Sequence, residues 1–297
     1  MKNSILFILL SLSACMGNAQ EWFTNIDVAG RLALVQNKML FVVWEESFNG
    51  SIPVLVNSDA GDTVVIDLAN DTSLDSIIKA YFIPVRLPEA NYESFINTAE
   101  GRGYKYINKL TDNNIKIMDV NGNILNTETS MAVITDFSKL IDTYALNTAF
   151  LNNALQNYSQ NKSYLTSYLL AEKYMEFAIY AKKDVREEIM DLSTIYLKES
   201  AKFVTNTSIE NSAAILQKIE LTRIAQNLIL NRQGKARRQL NRMKVDEIDP
   251  MNERLYGFLQ FTTHMLRNDI EEAEPWKSKI SSLDLRKTEM ILAISRL

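Results

Sequence analysis

Along residues 1–135 the apolar positions change period every few residues, whereas from residue 136 onward they keep a helical period with few interruptions. Residues 26–36 place Ile26, Ala29, Leu32 and Ala33 at helical spacing, which predicts an amphipathic helix ending near Asn37-Lys38. Residues 39–44, Met-Leu-Phe-Val-Val-Trp, are apolar without a break, the pattern of a strand buried on both faces at the centre of a first domain. Residues 53–56 and 63–67 flank a polar stretch and predict a β-hairpin. Residues 74–80 predict a short helix capped by Thr72 or Ser73, and residues 81–87 a strand in which Pro84 requires an edge or a bulge. Residues 114–120 and 123–125 are joined by Asn121-Gly122, which predicts a hairpin with a type I′ turn.

The second half predicts helices over residues 137–158, 164–182, 185–204, 209–230 and 250–266, with shorter ones over 235–243 and 271–297. Gly234-Lys235-Ala236 reads as one hairpin turn in an all-α bundle or helical-hairpin array of roughly seven helices.

The N-terminus has a different pattern. Lys2 precedes the apolar residues 5–12, a run far shorter than the roughly 20 residues of a membrane-spanning helix, so residues 1–20 are expected to be a secretory signal peptide. Cleavage after Ala19 or Gln20 would release a soluble periplasmic protein. Leu12-Ser13-Ala14-Cys15 offers a competing lipobox, which would leave Cys15 lipidated and the protein anchored to the membrane. The start of folded-looking sequence at Glu21-Trp22-Phe23 favours soluble cleavage.

Composition narrows the chemistry. With 46% hydrophobic residues the chain can build real cores, and its length suggests two domains, 21–135 and 136–297. The 32 basic and 36 acidic residues argue against generic nucleic-acid binding. Cys15 is the only cysteine and is removed or consumed by either processing route, which excludes disulfides, Cys-x-x-Cys redox chemistry and cysteine zinc sites. His264, the one histidine, lies in an apolar helical run and reads as a packed or surface residue. No cofactor, metal or catalytic constellation is implied.

Three features of the first half carry a resemblance. An alanine-containing helix precedes the buried strand, Phe82-Ile83-Pro84-Val85 forms a later strand, and Asp119-Val120-Asn121-Gly122 opens a terminal hairpin. Together they resemble the thioredoxin-like fold, in particular the thioredoxin-related proteins exported by some Gram-negative bacteria. The resemblance implies a mixed α+β or α/β domain over residues 21–135, with its redox motif just after the buried strand. There this chain has Phe48-Asn49-Gly50-Ser51, with Phe48 and Ser51 in place of the two sulfurs. The family's cis-proline is replaced by Asn113-Asn114, and the 54–67 hairpin occupies a stretch where the family has a long helix. The resemblance therefore implies a degenerate domain with no thiolate for disulfide exchange. The second half resembles tetratricopeptide hairpins in a general way, through residues 230–236 and Leu240, but lacks the Trp, Tyr and Pro framework of that repeat.

Charge supplies the main candidate site. Arg232, Lys235, Arg237, Arg238, Arg242 and Lys244 concentrate positive charge suited to an acidic partner, set against a plain solvated face neutralised by Asp246, Glu247 and Asp249. The acidic residues 269–274 read as a helix N-terminus. Glu45 and Glu46 follow the buried strand but, as neighbours, point apart and do not make a catalytic pair. Asp59, Asp62 and Asp67 surround a turn and match no calcium loop. Thr63, in Asp62-Thr63-Val64, is a possible O-glycosylation acceptor, with Asp75-Ser76-Ile77 a less accessible one. The expected function is a non-enzymatic envelope scaffold for an unidentified protein partner, with any membrane contact made only through a lipid at Cys15. The alternatives are an enzyme of an unrecognised, hydrolase-like class and a remnant thiol-disulfide oxidoreductase.

Overall fold

β1 (Met39–Trp44) is the strand that organises the first half, and all six of its residues are buried. The computed structural model describes residues 22–57, 62–128 and 134–296, so the expected signal peptide, Cys15 and Asp59 lie outside the described residues. The protein is a mixed α+β structure with two three-stranded sheets and a large helical portion.

In chain order the first half contains α1 (Ile26–Gln36), β1, a 3₁₀ turn (Glu45–Asn49), β2 (Pro53–Asn57), β3 (Thr63–Asp67), α2 (Asp75–Tyr81), β4 (Phe82–Leu87), α3 (Tyr92–Thr98), α4 (Tyr104–Thr111) and β5 (Lys116–Met118). β1 lies between β4, which is parallel to it, and β5, which is antiparallel. β2 pairs antiparallel with β3 and parallel with the short β6 (Thr135–Asp136), giving a second sheet. The 53–67 hairpin is thus present but does not join the first sheet. Pro84 is tolerated because β4 borders β1 on one side only. On its other side the Pro84 carbonyl accepts from Phe23 N–H, so the missing proline N–H costs no bond to β1.

The alternation of β1 divides the core. Leu40, Val42 and Trp44 pack with Ile83, Val85, Leu87 and Met118 beneath Ala29 and Ala33 of α1, with Ala99 beyond α3 and Leu110 of α4. Met39, Phe41 and Val43 face the opposite way and join Phe82 and Ile117 to a buried cluster that continues into the helical half. There Phe137 packs edge-on against Phe41, with ring centroids 6.2 Å apart.

The helical half contains α5 (Phe137–Tyr144), α6 (Asn152–Gln160), α7 (Tyr164–Tyr180), α8 (Lys183–Asn206), α9 (Ser212–Ile229), α10 (Gln233–Leu240), α11 (Glu253–Leu266), α12 (Ile270–Lys277) and α13 (Ser282–Ser295). Two expected helices are broken. Residues 137–158 divide at Ala145, because the Asn147 side chain caps a new 3₁₀ turn by accepting from Ala149 N–H. Residues 271–297 divide at Ser281, whose hydroxyl and the Asp284 carboxylate form a capping box.

Other local expectations are corrected. Only Gly122 of the Asn121-Gly122 pair has a positive φ, so the turn is not type I′, which needs both. Gly122 N–H instead donates to the Asp119 carbonyl, while the Asp119 carboxylate accepts from the N–H groups of Asn121 and Asn123. Asp71, not Thr72 or Ser73, caps the turn leading into α2, since its carboxylate accepts from Ser73 N–H. Gly234 lies inside α10, and the reversal before it is made by Asn231 at φ 55°. Helices α3 and α4 are additional to the elements expected from the pattern.

Candidate functional site

The six basic residues flank and cover α10, and all are exposed. The helix exists as a carrier for them because only Ala236 and Leu240, one turn apart, are buried. This leaves Lys235 and Arg238 on the outer surface, with Arg242 just beyond the last turn. The structure separates the group by its neutralisation. Arg232 is ion-paired to Glu187 of α8. Lys244 pairs with Glu247 at 2.6 Å, and Arg237 lies close enough to Asp269 to help hold that carboxyl below its usual range, after the stronger hydrogen bond from Arg267. Lys235, Arg238 and Arg242 form no ion pair with a described residue. Of the acidic residues expected to neutralise the group, Glu247 is taken by Lys244, and Asp249 caps the 3₁₀ turn at Pro250–Asn252 by accepting from Met251 N–H.

Beside this basic strip lies a groove of about 510 Å³ between α9 and the chain that leaves α10. Leu216, Met243 and Ile248 provide apolar wall, while Arg242, Lys244, Glu220 and Glu247 provide charge of both signs. Gln217 holds the far wall in place by donating to the Glu247 carbonyl and accepting from Asp249 N–H and the Asn252 amide. Arg242 is the one basic residue shared between the groove and the unneutralised strip.

The two residues expected to stand in place of redox sulfurs make packing and hydrogen-bond contacts within the fold. Phe48 is half-buried, its ring edge-on to Trp22 at 5.4 Å, and the Arg86 guanidinium lies 3.9 Å from the Phe48 ring centroid. Ser51 is exposed and helps hold the Asp67 carboxyl down. Asn114 donates its N–H to the Asp112 carboxylate in a tight turn. Glu46 faces Glu89 rather than acting with Glu45; its pKa is raised by desolvation first and then by the shared hydrogen bond with Glu89. Asp67 accepts from Ile52 N–H, Ala69 N–H and the Asn70 amide, so it fastens the base of the hairpin. Among the described residues no group of three or more acidic, histidine or cysteine side chains is arranged to hold a metal ion. His264 is partly buried, with Nδ1 4.0 Å from the Asp269 carboxylate. Thr63 is exposed at the start of β3, and its hydroxyl donates to Asn57. Glu271 and Glu272 occupy the first turn of α12, where the helix dipole favours them. Among the described residues no helix is long and apolar enough to cross a membrane.

Two buried polar centres were not marked by the sequence pattern. The first is Asp119, whose carboxylate is enclosed between the terminal turn and the tyrosines of α7 and α8. Tyr196 donates to it at 2.5 Å and Tyr174 at 3.2 Å, and the two rings stack 5.5 Å apart. Burial raises the pKa of Asp119 despite these donors, and it pushes both tyrosines well above their ordinary range. The second is Glu188 of α8, which accepts from Glu128 N–H and from the Tyr144 hydroxyl, each at 3.1 Å. The Asp119-x-Asn-Gly turn was a local signal for the first centre. No local signal identifies Glu188, because its partners are 60 and 44 residues away.

No family model, curated protein or solved structure matches the chain.

Proposed function

We propose that this protein is an exported, non-enzymatic scaffold that binds an acidic protein partner along the outer surface of α10 and the adjoining groove. The observation that carries the reading is the lack of neutralisation at Lys235, Arg238 and Arg242, on a surface where the flanking Arg232 and Lys244 do find carboxylates. Unpaired cations at helical spacing attract an opposite charge from outside the molecule, and the groove beside them offers apolar contact to give that attraction a fixed register. In this reading the first half is a degenerate thioredoxin-like domain. Support comes from its three motif segments: the buried strand, the Phe-x-Pro-Val strand and the terminal hairpin are neighbours around β1. Phe48, standing where a sulfur would be, is committed to packing with Trp22 and Arg86.

The test is co-purification from cell-envelope extract over a salt series, with the natural chain and with a Lys235→Gln, Arg238→Gln, Arg242→Gln variant. The expected result is a partner held at low salt, released at high salt and lost by the variant, whose thermal midpoint stays the same. A partner retained by the variant, or substrate turnover by the purified chain without a stable partner, would overturn the proposal.

A further inference from the structure

Glu188 is 2% exposed, yet one of its two carboxyl oxygens, Oε2, meets no hydrogen-bond donor or acceptor. The other oxygen does all the work of the joint. It accepts from Glu128 N–H, at the end of the segment leaving the terminal hairpin, and from the Tyr144 hydroxyl in the last turn of α5. A single carboxyl group thus ties together three stretches of chain: α8, the 126–128 segment and α5. A buried carboxyl oxygen with no partner is costly when ionised, because neither water nor a protein donor solvates the charge.

The acids around it act in the same direction. Glu128 from the hairpin segment and Asp191 from α8 both lie near enough to oppose a negative charge on Glu188. Glu187 adds to the negative field around Asp191. Of the cations nearby, Lys109 attracts Glu188 but is paired with Asp112, while Lys105 is paired with Glu128 and Arg232 with Glu187. Arg186, two residues before it on α8, donates to the Ala178 and Ala181 carbonyls. Burial lifts the pKa of Glu188 to about 7, against an ordinary 4.5, over the opposing pull of the two hydrogen bonds it accepts, and the charges of Glu128 and Asp191 add to the rise.

We infer that Glu188 is a proton-operated latch, holding the 126–128 segment and α5 against α8 when it is protonated and loosening that joint when it ionises. Linkage fixes the sign. A carboxyl whose pKa is raised in the closed state contributes its full stabilisation below the ordinary value and loses it as pH rises through the raised one. The opening of this joint should therefore grow by up to roughly tenfold per pH unit between about 5 and 7, then level off above about 8.

The experiment is amide hydrogen exchange on the full chain from pH 5 to 9, corrected for intrinsic exchange, read on residues 126–128 and 134–144 and, as reference, on the buried β1. The expected result is a pH-dependent loss of protection confined to the joint, with a midpoint near 7, that disappears in Glu188→Gln, whose neutral amide reproduces the protonated acid. Tyr144→Phe is the second variant, which removes one donor and leaves the carboxyl in place; its joint should be looser at every pH while keeping a pH response. Protection that does not change with pH in the natural chain, or an unchanged pH response in Glu188→Gln, would overturn the inference. So would a pH-dependent loss that extends equally to β1, since that marks global destabilisation.

Discussion

The Tyr196 hydroxyl on α8 donates to Oδ2 of Asp119 at 2.5 Å, across 77 positions of sequence. The same hydroxyl accepts from the side-chain amides of Asn121 and Asn123. Together with the Tyr174 hydroxyl, which also donates to Asp119, this phenol fastens the turn after β5 to the helical half. Tyr196→Phe removes the donor to a fully enclosed carboxyl and the acceptor for two amides, and should cost about 2–4 kcal/mol on the usual scale for buried hydrogen bonds to charged groups. Asp119→Asn keeps the shape and removes the buried charge, so it should cost less than Tyr196→Phe. Urea unfolding of the two variants checks the order.

Gly30 has to be glycine because α1 crosses the same turn at close range. A Cβ at this position would stand 2.4 Å from the backbone carbonyl oxygen of Val120. Since backbone, not a flexible side chain, is in the way, Gly30→Ala should lower the thermal midpoint sharply, although alanine is the better helix former. A Gly234→Ala control, where a Cβ meets nothing within 4 Å, should be neutral or slightly stabilising.

Phe137 begins α5 but fills space against Phe41 of β1. Phe137→Ala opens a cavity in the cluster shared by the sheet and the helices, and should destabilise the chain by about 3–5 kcal/mol. Fluorescence of Trp22 and Trp44 in the first half and circular dichroism of the helices should then report the same lowered transition. Two separated transitions would show that the shared packing is dispensable.

Asp67 gives a prediction at acid pH. Its hydrogen bonds from Asn70, Ile52 and Ala69 lower its pKa to about 2, from an ordinary 3.8. A group lowered in this way contributes stability that is complete above the ordinary value and is lost as pH falls through the lowered one. The base of the β2–β3 hairpin should therefore loosen between about pH 4 and 2, and Asp67→Asn should show that looseness already at neutral pH. Amide exchange at Ile52 and Ala69 would measure it.

Lys116 lies in β5, within the stretch expected to be a strand, and its burial is something the local pattern does not decide. Its ammonium is fully enclosed and donates to the Asp112 carbonyl, the Asp112 carboxylate and the Asn114 carbonyl. The turn before β5 supplies these acceptors, so the charge is satisfied inside the fold. The same locality explains what was legible. Met39–Trp44 was visible as an unbroken apolar run, the 53–67 hairpin as two apolar runs around a polar turn, and the long helices α7, α8 and α9 because their apolar periods run over many residues. Helices α3 and α4, seven and eight residues long and bordered by Gly101 and Gly103, offer too short a pattern to stand out. The interruptions at Ala145 and Ser281 depend on one or two capping side chains within otherwise continuous apolar runs.

The basic residues around α10 were likewise evident as a composition, but which of them lacks a partner was not. Neutralisation of Arg232 comes from Glu187, 45 residues earlier, while Asp249 is taken up by a cap. By itself the sequence determined the local elements and the supply of chemistry: one cysteine within the expected export signal, one histidine, and six cations close together. The tertiary structure alone decided which charges are exposed and unpaired, which carboxyls are enclosed, and that one face of the sheet is covered by the helices. The physical reason is range. Periodicity, turns and caps act within a few residues, whereas burial and electrostatic pairing depend on groups that only folding brings together.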